Sequence, residues 1–140
     1  FDWLVNLFTS FGYFRDEADN RRQLAGMVAA LRPGGRLILD LPNRSYLEKN
    51  LRREDVQEAG DLNIVNRRWI EDDHIIKQSD VTTESGEHHR FVERVRLYSA
   101  AQIQEAARRA GLSQPTLHGS FTGEPLRADS ARMVVVGVRP

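Results

Sequence analysis

Few side chains in this sequence have the chemistry to make or break bonds, and their spacing thins them further. There is no cysteine, so there is no thiolate nucleophile, disulfide framework or thiolate metal site. His88 and His89 are adjacent; on a strand they point to opposite faces and cannot chelate one metal together. His74 belongs to a different strand, which leaves no zinc-like ligand spacing. No nucleophile elbow is present. Asp40 has the chemistry of a general base, although a strand-end cap or an ion pair is the commoner use of such a carboxylate. Arg132 reads as a partner for a carboxylate. What remains is a set of groups that bind and orient. Asn6 closes the apolar run "WLV", and a polar side chain at a buried strand end needs partners. "LFTSFGYF" follows it, "LPN" at 41–43 closes a second apolar run, and Arg96 and Tyr98 close a later strand. Ligands of open α/β sheets sit beyond the carboxyl ends of the strands, which here are Asn6-Leu7-Phe8 with Thr9 to Tyr13, and Leu41-Pro42-Asn43.

These residues need elements to hold them. Trp3, Leu4, Val5, Leu7 and Phe8 form a nearly continuous apolar run, the pattern of a strand covered on both faces. A helix is predicted after it, with Asp16 as N-cap and Glu17 and Asp19 at its positive start. Leu24, Met27, Val28 and Leu31 fall on one stripe. Pro33 stops the helix near Leu31, and Gly34-Gly35 permit a left-handed turn. "RLILDL" is a second buried strand. Strand, helix and strand in this order make a right-handed βαβ unit.

The middle has a different grain. "PNRSYLEKNLRREDVQEAGD" predicts a short helix and a loop. From Asn63, three strand-like runs separated by short polar turns predict an antiparallel meander. Phe91, Val95 and Leu97 share one face of the last strand, with Arg94, Arg96 and Tyr98 on the other. This stretch, roughly 44–98, is too short and too charged to bury a core of its own and reads as an insertion within a single domain, 1–140. The last third returns to α/β. Ser99 and Gln102 form a capping box, Ile103, Ala106, Ala107 and Ala110 line an apolar face, and Gly111 ends the helix. "PTLHGSF" and "RMVVVGV" are two final strands suited to a hairpin at the sheet edge.

The residues now carry a resemblance. "FDWLVNLFTSFGYF…LRPGGRLILDLPN", "RLYSAAQIQEAARRAGL", "HGSF" and "SARMVVVGV" are similar to the carboxy-terminal half of class I S-adenosylmethionine-dependent methyltransferases. The implied fold class is α/β: a partial Rossmann-like methyltransferase sheet with helices, plus the inserted antiparallel β-meander. In that family three further strands, with the glycine-rich loop and the ribose-binding acid, would precede Phe1. Gly34-Gly35 precede a strand and do not meet the dinucleotide fingerprint. The chain is therefore expected to bind S-adenosylmethionine weakly on its own. By the resemblance, Asn6, Leu7 and Phe8 line the methionine end of the cofactor. Ser10, Phe11 and Tyr13 face a small-molecule methyl acceptor, with Asn43, Arg96 and Tyr98 as further acceptor ligands. No residue is assigned a catalytic or metal-binding role. Phe8, Phe11 and Phe14 have an alternative place in the core. "NLFT" stands where amide- and adenine-methylating relatives carry Asn-Pro-Pro-aromatic, which argues against a DNA adenine methylase.

Composition adds exclusions. Lys and Arg number 20, as do Asp and Glu, so the electrostatic footprint of a general nucleic-acid binder is missing. No apolar stretch approaches the roughly 18–20 residues of a membrane span. No signal-peptide pattern is seen, and a cytoplasmic location is the expectation. The apolar first strand, open on one side, leads to an expected homodimer or edge-to-edge association. A non-catalytic interaction module is the alternative to a methyltransferase.

Overall fold

The computed structural model describes residues 1–140. In chain order the elements are β1 (Trp3–Asn6), α1 (Glu17–Ala30), β2 (Arg36–Pro42), α2 (Arg44–Asn50), β3 (Glu54–Ala59), β4 (Leu62–Glu71), β5 (His74–Thr83), β6 (His88–Arg96), α3 (Ala100–Arg109), β7 (Ser113–His118) and β8 (Arg132–Val138). They build two four-stranded sheets, ordered β1-β2-β8-β7 and β3-β4-β5-β6.

The first sheet is the scaffold. β1 and β2 are parallel, while β8 runs antiparallel to both β2 and β7. Leu37, Leu39 and Leu41 alternate along β2 and pack with Met133 and Val135 of β8 against Leu24, Val28 and Leu31 of the α1 region and Ile103 and Ala107 of α3. The predicted stripe of α1 and the predicted apolar face of α3 are thus the surfaces that cover the sheet. Local chemistry sets their ends. Asp16 caps α1 through the Ala18 N–H. Ser99 Oγ accepts from the Gln102 N–H at 3.2 Å, and Gln102 Oε1 accepts from the Ser99 N–H at 2.9 Å, a complete capping box. After α1, Gly34 takes φ +78°, and a Cβ on Gly35 would lie 2.8 Å from the Arg32 and Phe1 carbonyl oxygens. Only glycine permits that turn.

Two sequence expectations are corrected. β1 was expected to be covered on both faces. It is an edge strand, and helices cover only one face of its sheet, so Trp3 and Val5 on the other face are 53% and 50% exposed. The apolar run carries no period-2 alternation, so it could not reveal that one face would be open. Second, the stretch before Asn63 is no loop: it contains β3, which makes the meander four-stranded. Its sequence "EDVQEA" is polar and lacks a strand pattern. It is a strand because β4 pairs with it along its length and because Asp55 is tied to its neighbours.

The inserted sheet is held by polar clamps rather than by an apolar core. Asp55 accepts from Asn66 at 3.0 Å and from Gln57 at 3.2 Å and pairs with Arg68. Asp80, on the opposite face, accepts from Arg90 at 2.6 Å, Gln78 at 2.8 Å and Arg67 at 3.0 Å. The Arg68 guanidinium foremost, with Asn66, holds the Asp55 carboxyl below the usual carboxylate range; Arg90 and then Gln78 do the same for Asp80. Of the three residues expected to share one face, Val95 and Leu97 are buried, but Phe91, two turns of the pleat further out, is exposed. The sheet is bolted to the scaffold where β6 leaves it, by the Arg96 N–H donating to the Gly12 carbonyl at 2.9 Å, while the Leu97 N–H extends the pairing with β5 by donating to the Asp73 carbonyl at 2.7 Å. No helix is long and apolar enough to cross a membrane.

If the β2 leucines anchor the fold, Leu39→Ala lowers unfolding free energy by about 2–5 kcal/mol, while Val56→Ala on exposed β3 changes it by less than about 0.5 kcal/mol. Urea denaturation of the two variants measures both; equal losses would mean that the core lies elsewhere.

Candidate functional site

β1 and β2 end side by side, and their ends bring several of the singled-out residues together. Asn6 is in register with Leu39 and shares its helix-covered face. Its Oδ1 is buried and accepts no hydrogen bond. A buried acceptor left unmet costs about 1–3 kcal/mol, so this atom stands out. One residue further on, past Leu7, Phe8 and Thr9 take φ +57° and +59°. Left-handed backbone costs a side-chain-bearing residue roughly 1–2 kcal/mol, and two in succession need outside support. That support is visible: the Phe8 N–H donates to Asp40 Oδ2 at 3.1 Å, and Ser10 Oγ donates to the Leu7 carbonyl at 2.5 Å. The Phe8 ring itself is 81% exposed.

The loop then dives into the core and returns. Phe11 is 1% exposed and stacks on Tyr98 with ring centroids 5.6 Å apart. It is part of the core, not a wall open to an acceptor, because the turn at Gly12 drives it beneath the β6 exit. Tyr13 resurfaces with Phe14 in a small cleft of about 260 Å³ shared with Arg15, His74 and Arg94. Asn20, which the sequence reading passed over, holds this loop: its Oδ1 accepts from the Phe14 N–H at 3.2 Å and its Nδ2 donates to the Phe14 carbonyl at 3.3 Å. The signal was present, since Asn20 sits four residues before Leu24 on the apolar stripe of α1.

The other expected acceptor ligands are committed to the fold. Asn43 Oδ1 caps α2 through the Ser45 N–H at 3.2 Å, and its Nδ2 donates to the carbonyls of Arg127 and Ser130 at 2.9 and 2.8 Å. Every hydrogen-bonding position of the amide except one lone pair is thereby taken. Tyr98 is buried and its hydroxyl donates to Glu17 Oε2 at 3.0 Å. Arg96 lies between Glu17 and Asp73, 3.2 Å from each; its Nε approaches Glu17 at ion-pair distance but is not aligned for a hydrogen bond. The arginine also rests over the Tyr98 ring at 5.2 Å. These two residues join the inserted sheet to α1.

Larger clefts exist. One of about 400 Å³ between α1 and α3 is lined by Glu17, Arg21, Arg96, Tyr98, Gln102 and Arg109. Its charges answer one another, Glu17 with Arg21 and Arg96, Arg109 with Glu105. The strand-end turn is the better candidate site, since only there do an unmet buried acceptor and unfavourable backbone coincide. No three His, Asp or Glu side chains converge as a metal ligand set.

No family model and no curated protein matches the sequence. Solved structures do. An S-adenosylmethionine-dependent methyltransferase from Clostridium acetobutylicum superimposes with a TM-score of 0.79 at 16% identity, covering 99% of this chain and 58% of that one. The CcbJ methyltransferase from Streptomyces caelestis gives 0.75 at 16% identity, with 99% and 61% covered. The sugar N-methyltransferase KedS8 from Streptoalloteichus gives 0.73 at 25% identity, with 99% and 56% covered. The fold is that of S-adenosylmethionine-dependent methyltransferases, as the sequence resemblance implied, and the chain spans little more than half the length of these structures.

Burial first, and Glu17 beside it, push the Tyr98 phenol well above its ordinary value of 10.0. The folded state therefore holds this proton more tightly than the unfolded chain. The stabilisation is complete below pH 10 and is lost as pH rises beyond it. Wild type is expected to lose stability relative to Tyr98→Phe above that pH. Urea denaturation of both on either side of pH 10 measures this; a constant difference would show that the phenol is not withdrawn from solvent.

Proposed function

We propose that this chain contributes the methionine end of the cofactor site, and the acceptor side, of an S-adenosylmethionine-dependent methyltransferase that acts on a small molecule. The observation that carries the reading is the partnerless Oδ1 of Asn6 at the end of β1. The donor set fits. The methionine moiety bears an ammonium group, which donates hydrogen bonds and accepts none, and an unmet amide oxygen is its natural counterpart once the turn after β1 shifts to uncover it, since the atom has almost no accessible surface in this fold. Leu7 and Phe8 beside it are apolar and would exclude water. When bound, the cofactor supplies an electrophilic methyl on a sulfonium whose thioether is the leaving group. The protein then has no nucleophile to provide; it orients and desolvates the two partners.

On the acceptor side, Ser10 and Tyr13 remain candidates, because both are at the surface of the loop that follows the turn. Asn43, Arg96 and Tyr98 act indirectly, as the groups that hold the loop, the inserted sheet and α1 in place. A small acceptor is in keeping with the cleft of about 260 Å³ at Tyr13 and with the sugar on which KedS8 acts. The residues described supply one end of a cofactor site, so weak binding is expected of them alone.

A ¹⁵N-labelled chain titrated with S-adenosylhomocysteine tests the reading. The amides of Asn6 to Thr9 are expected to shift. Asn6→Ala is expected to abolish the shift at a stability cost below about 1 kcal/mol, since the lost oxygen makes no bond in the unliganded fold. Shifts confined to the cleft between α1 and α3, or an unchanged response in Asn6→Ala, would overturn it.

A second reading, a module that associates through its sheet, is favoured by one observation: β1 is an open edge with exposed Trp3 and Val5 on its uncovered face. The occupant would be a second copy, because the net charge of zero offers no repulsion. Light scattering over a concentration series is expected to show dimers; a persistent 16.0 kDa monomer would end this reading.

A further inference from the structure

One buried carboxylate, with the arginine beside it, has no role in the cofactor reading. Asp40 lies on the helix-free face of the scaffold sheet, yet it is 3% exposed. A carboxylate in that position is costly unless it is fully hydrogen-bonded. One oxygen, Oδ2, takes two donors: the Phe8 N–H at 3.1 Å and Arg132 Nη1 at 2.9 Å. Arg132 comes from β8, where its backbone is paired with Pro42, and its guanidinium rests 4.4 Å from the centroid of the Phe121 ring. The arginine is thus held from two sides and holds the carboxylate in turn.

A plain structural role explains this poorly. Arg132 is partly exposed, and an ion pair with an exposed partner adds little stability. An aliphatic residue at position 40, beside Val134 in the register, would suit the sheet as well or better. What an aliphatic residue lacks is an acceptor for the Phe8 N–H. That amide belongs to the first of two successive left-handed residues, Phe8 and Thr9, and the pair begins two residues after the last position of β1. Without a fixed acceptor, both residues would relax toward ordinary backbone.

The geometry points to Asp40 and Arg132 as positioning residues of the cofactor turn. Asp40 fixes the left-handed conformation that presents Asn6, Leu7 and Phe8, and Arg132 fixes the orientation of the Asp40 carboxylate. The pair touches no ligand; it acts through the Phe8 backbone. This inference rests on the assignment of the turn to the methionine end of the cofactor, and its test separates the two.

The test uses the whole chain and two readouts. The first is amide hydrogen exchange without any ligand. Phe8 is expected to be protected in wild type and to exchange about tenfold faster or more in Asp40→Ala, while the amides of Leu39 and Val135 stay as slow as before. Asp40→Asn, which keeps an acceptor oxygen, is expected to restore most of the protection, and Arg132→Ala to fall between. The second readout is the S-adenosylhomocysteine response of Asn6 to Thr9, expected to weaken in the same order among variants with the melting temperature of wild type. Should Asp40→Ala not fold, Asp40→Asn and Arg132→Ala carry the comparison. Phe8 exchange that is equally slow in wild type and in every variant overturns the clamp. A ligand response as strong in the variants as in wild type, despite a freed Phe8 amide, overturns the positioning role. No ligand response in wild type overturns the cofactor assignment and the positioning role with it, whereas the clamp itself is then upheld or refused by exchange alone.

Discussion

The packing of two helices onto one face of the scaffold sheet is the interaction on which the rest of the chain depends. Leu37, Leu39 and Leu41 of β2 are withdrawn from water beneath α1 and α3. At about 1.5–3 kcal/mol for each buried leucine, this layer outweighs any other single contribution. It also sets direction. With β1 parallel to β2 and α1 crossing between them, both strands must end on the same side of the sheet. Asn6 and Asn43 are brought to that side by topology, not by any attraction between them.

Around this layer the chain uses polar groups where position matters more than stability. Asp55 and Asp80 tie the strands of the inserted sheet, and Arg96 with Tyr98 ties that sheet to Glu17 on α1. Asp40 ties the turn after β1, and Asn20 ties the loop beyond it. Each is a buried or half-buried group whose hydrogen bonds are directional, so each defines an angle as well as a contact. Asn6 is the exception. Its Oδ1 is buried in the same way but has no partner, and this contrast with its satisfied neighbours is what singles it out as a candidate. The exposed Phe8 ring and the left-handed backbone beneath it belong to the same few residues.

Much of this was legible before any coordinates. The α1 stripe, the Asp16 cap, the Ser99–Gln102 capping box, the glycines after α1 and the terminal hairpin are local features whose reasons lie within a few residues, and each stands where it was expected. Asn6 could be singled out because a polar residue closing an apolar run is unusual. The misses share a different cause. β3 has no strand pattern of its own and exists because β4 pairs with it. Phe11 and Phe8 are the same residue type three positions apart in one aromatic loop, and nothing local says that the first is core and the second exposed. Asn43, Arg96 and Tyr98 read as ligands because polar groups near strand ends often are; their partners, Arg127, Ser130, Glu17 and Asp73, lie 23 to 87 residues away.

The sequence by itself determined the class of the fold, the order of its elements apart from β3, and the two strand ends that the fold brings side by side. Periodicity, caps and glycine positions are short-range, and hydrophobic burial is indifferent to which partner covers a face. The tertiary structure alone decided which face of the sheet is covered, which aromatic side chains are core, and which polar groups are spent on holding the chain together. Those outcomes depend on contacts between residues distant in sequence. Whether a buried oxygen such as Asn6 Oδ1 finds a donor is a matter of a few tenths of an ångström and of angle, and no pattern of residue types encodes it.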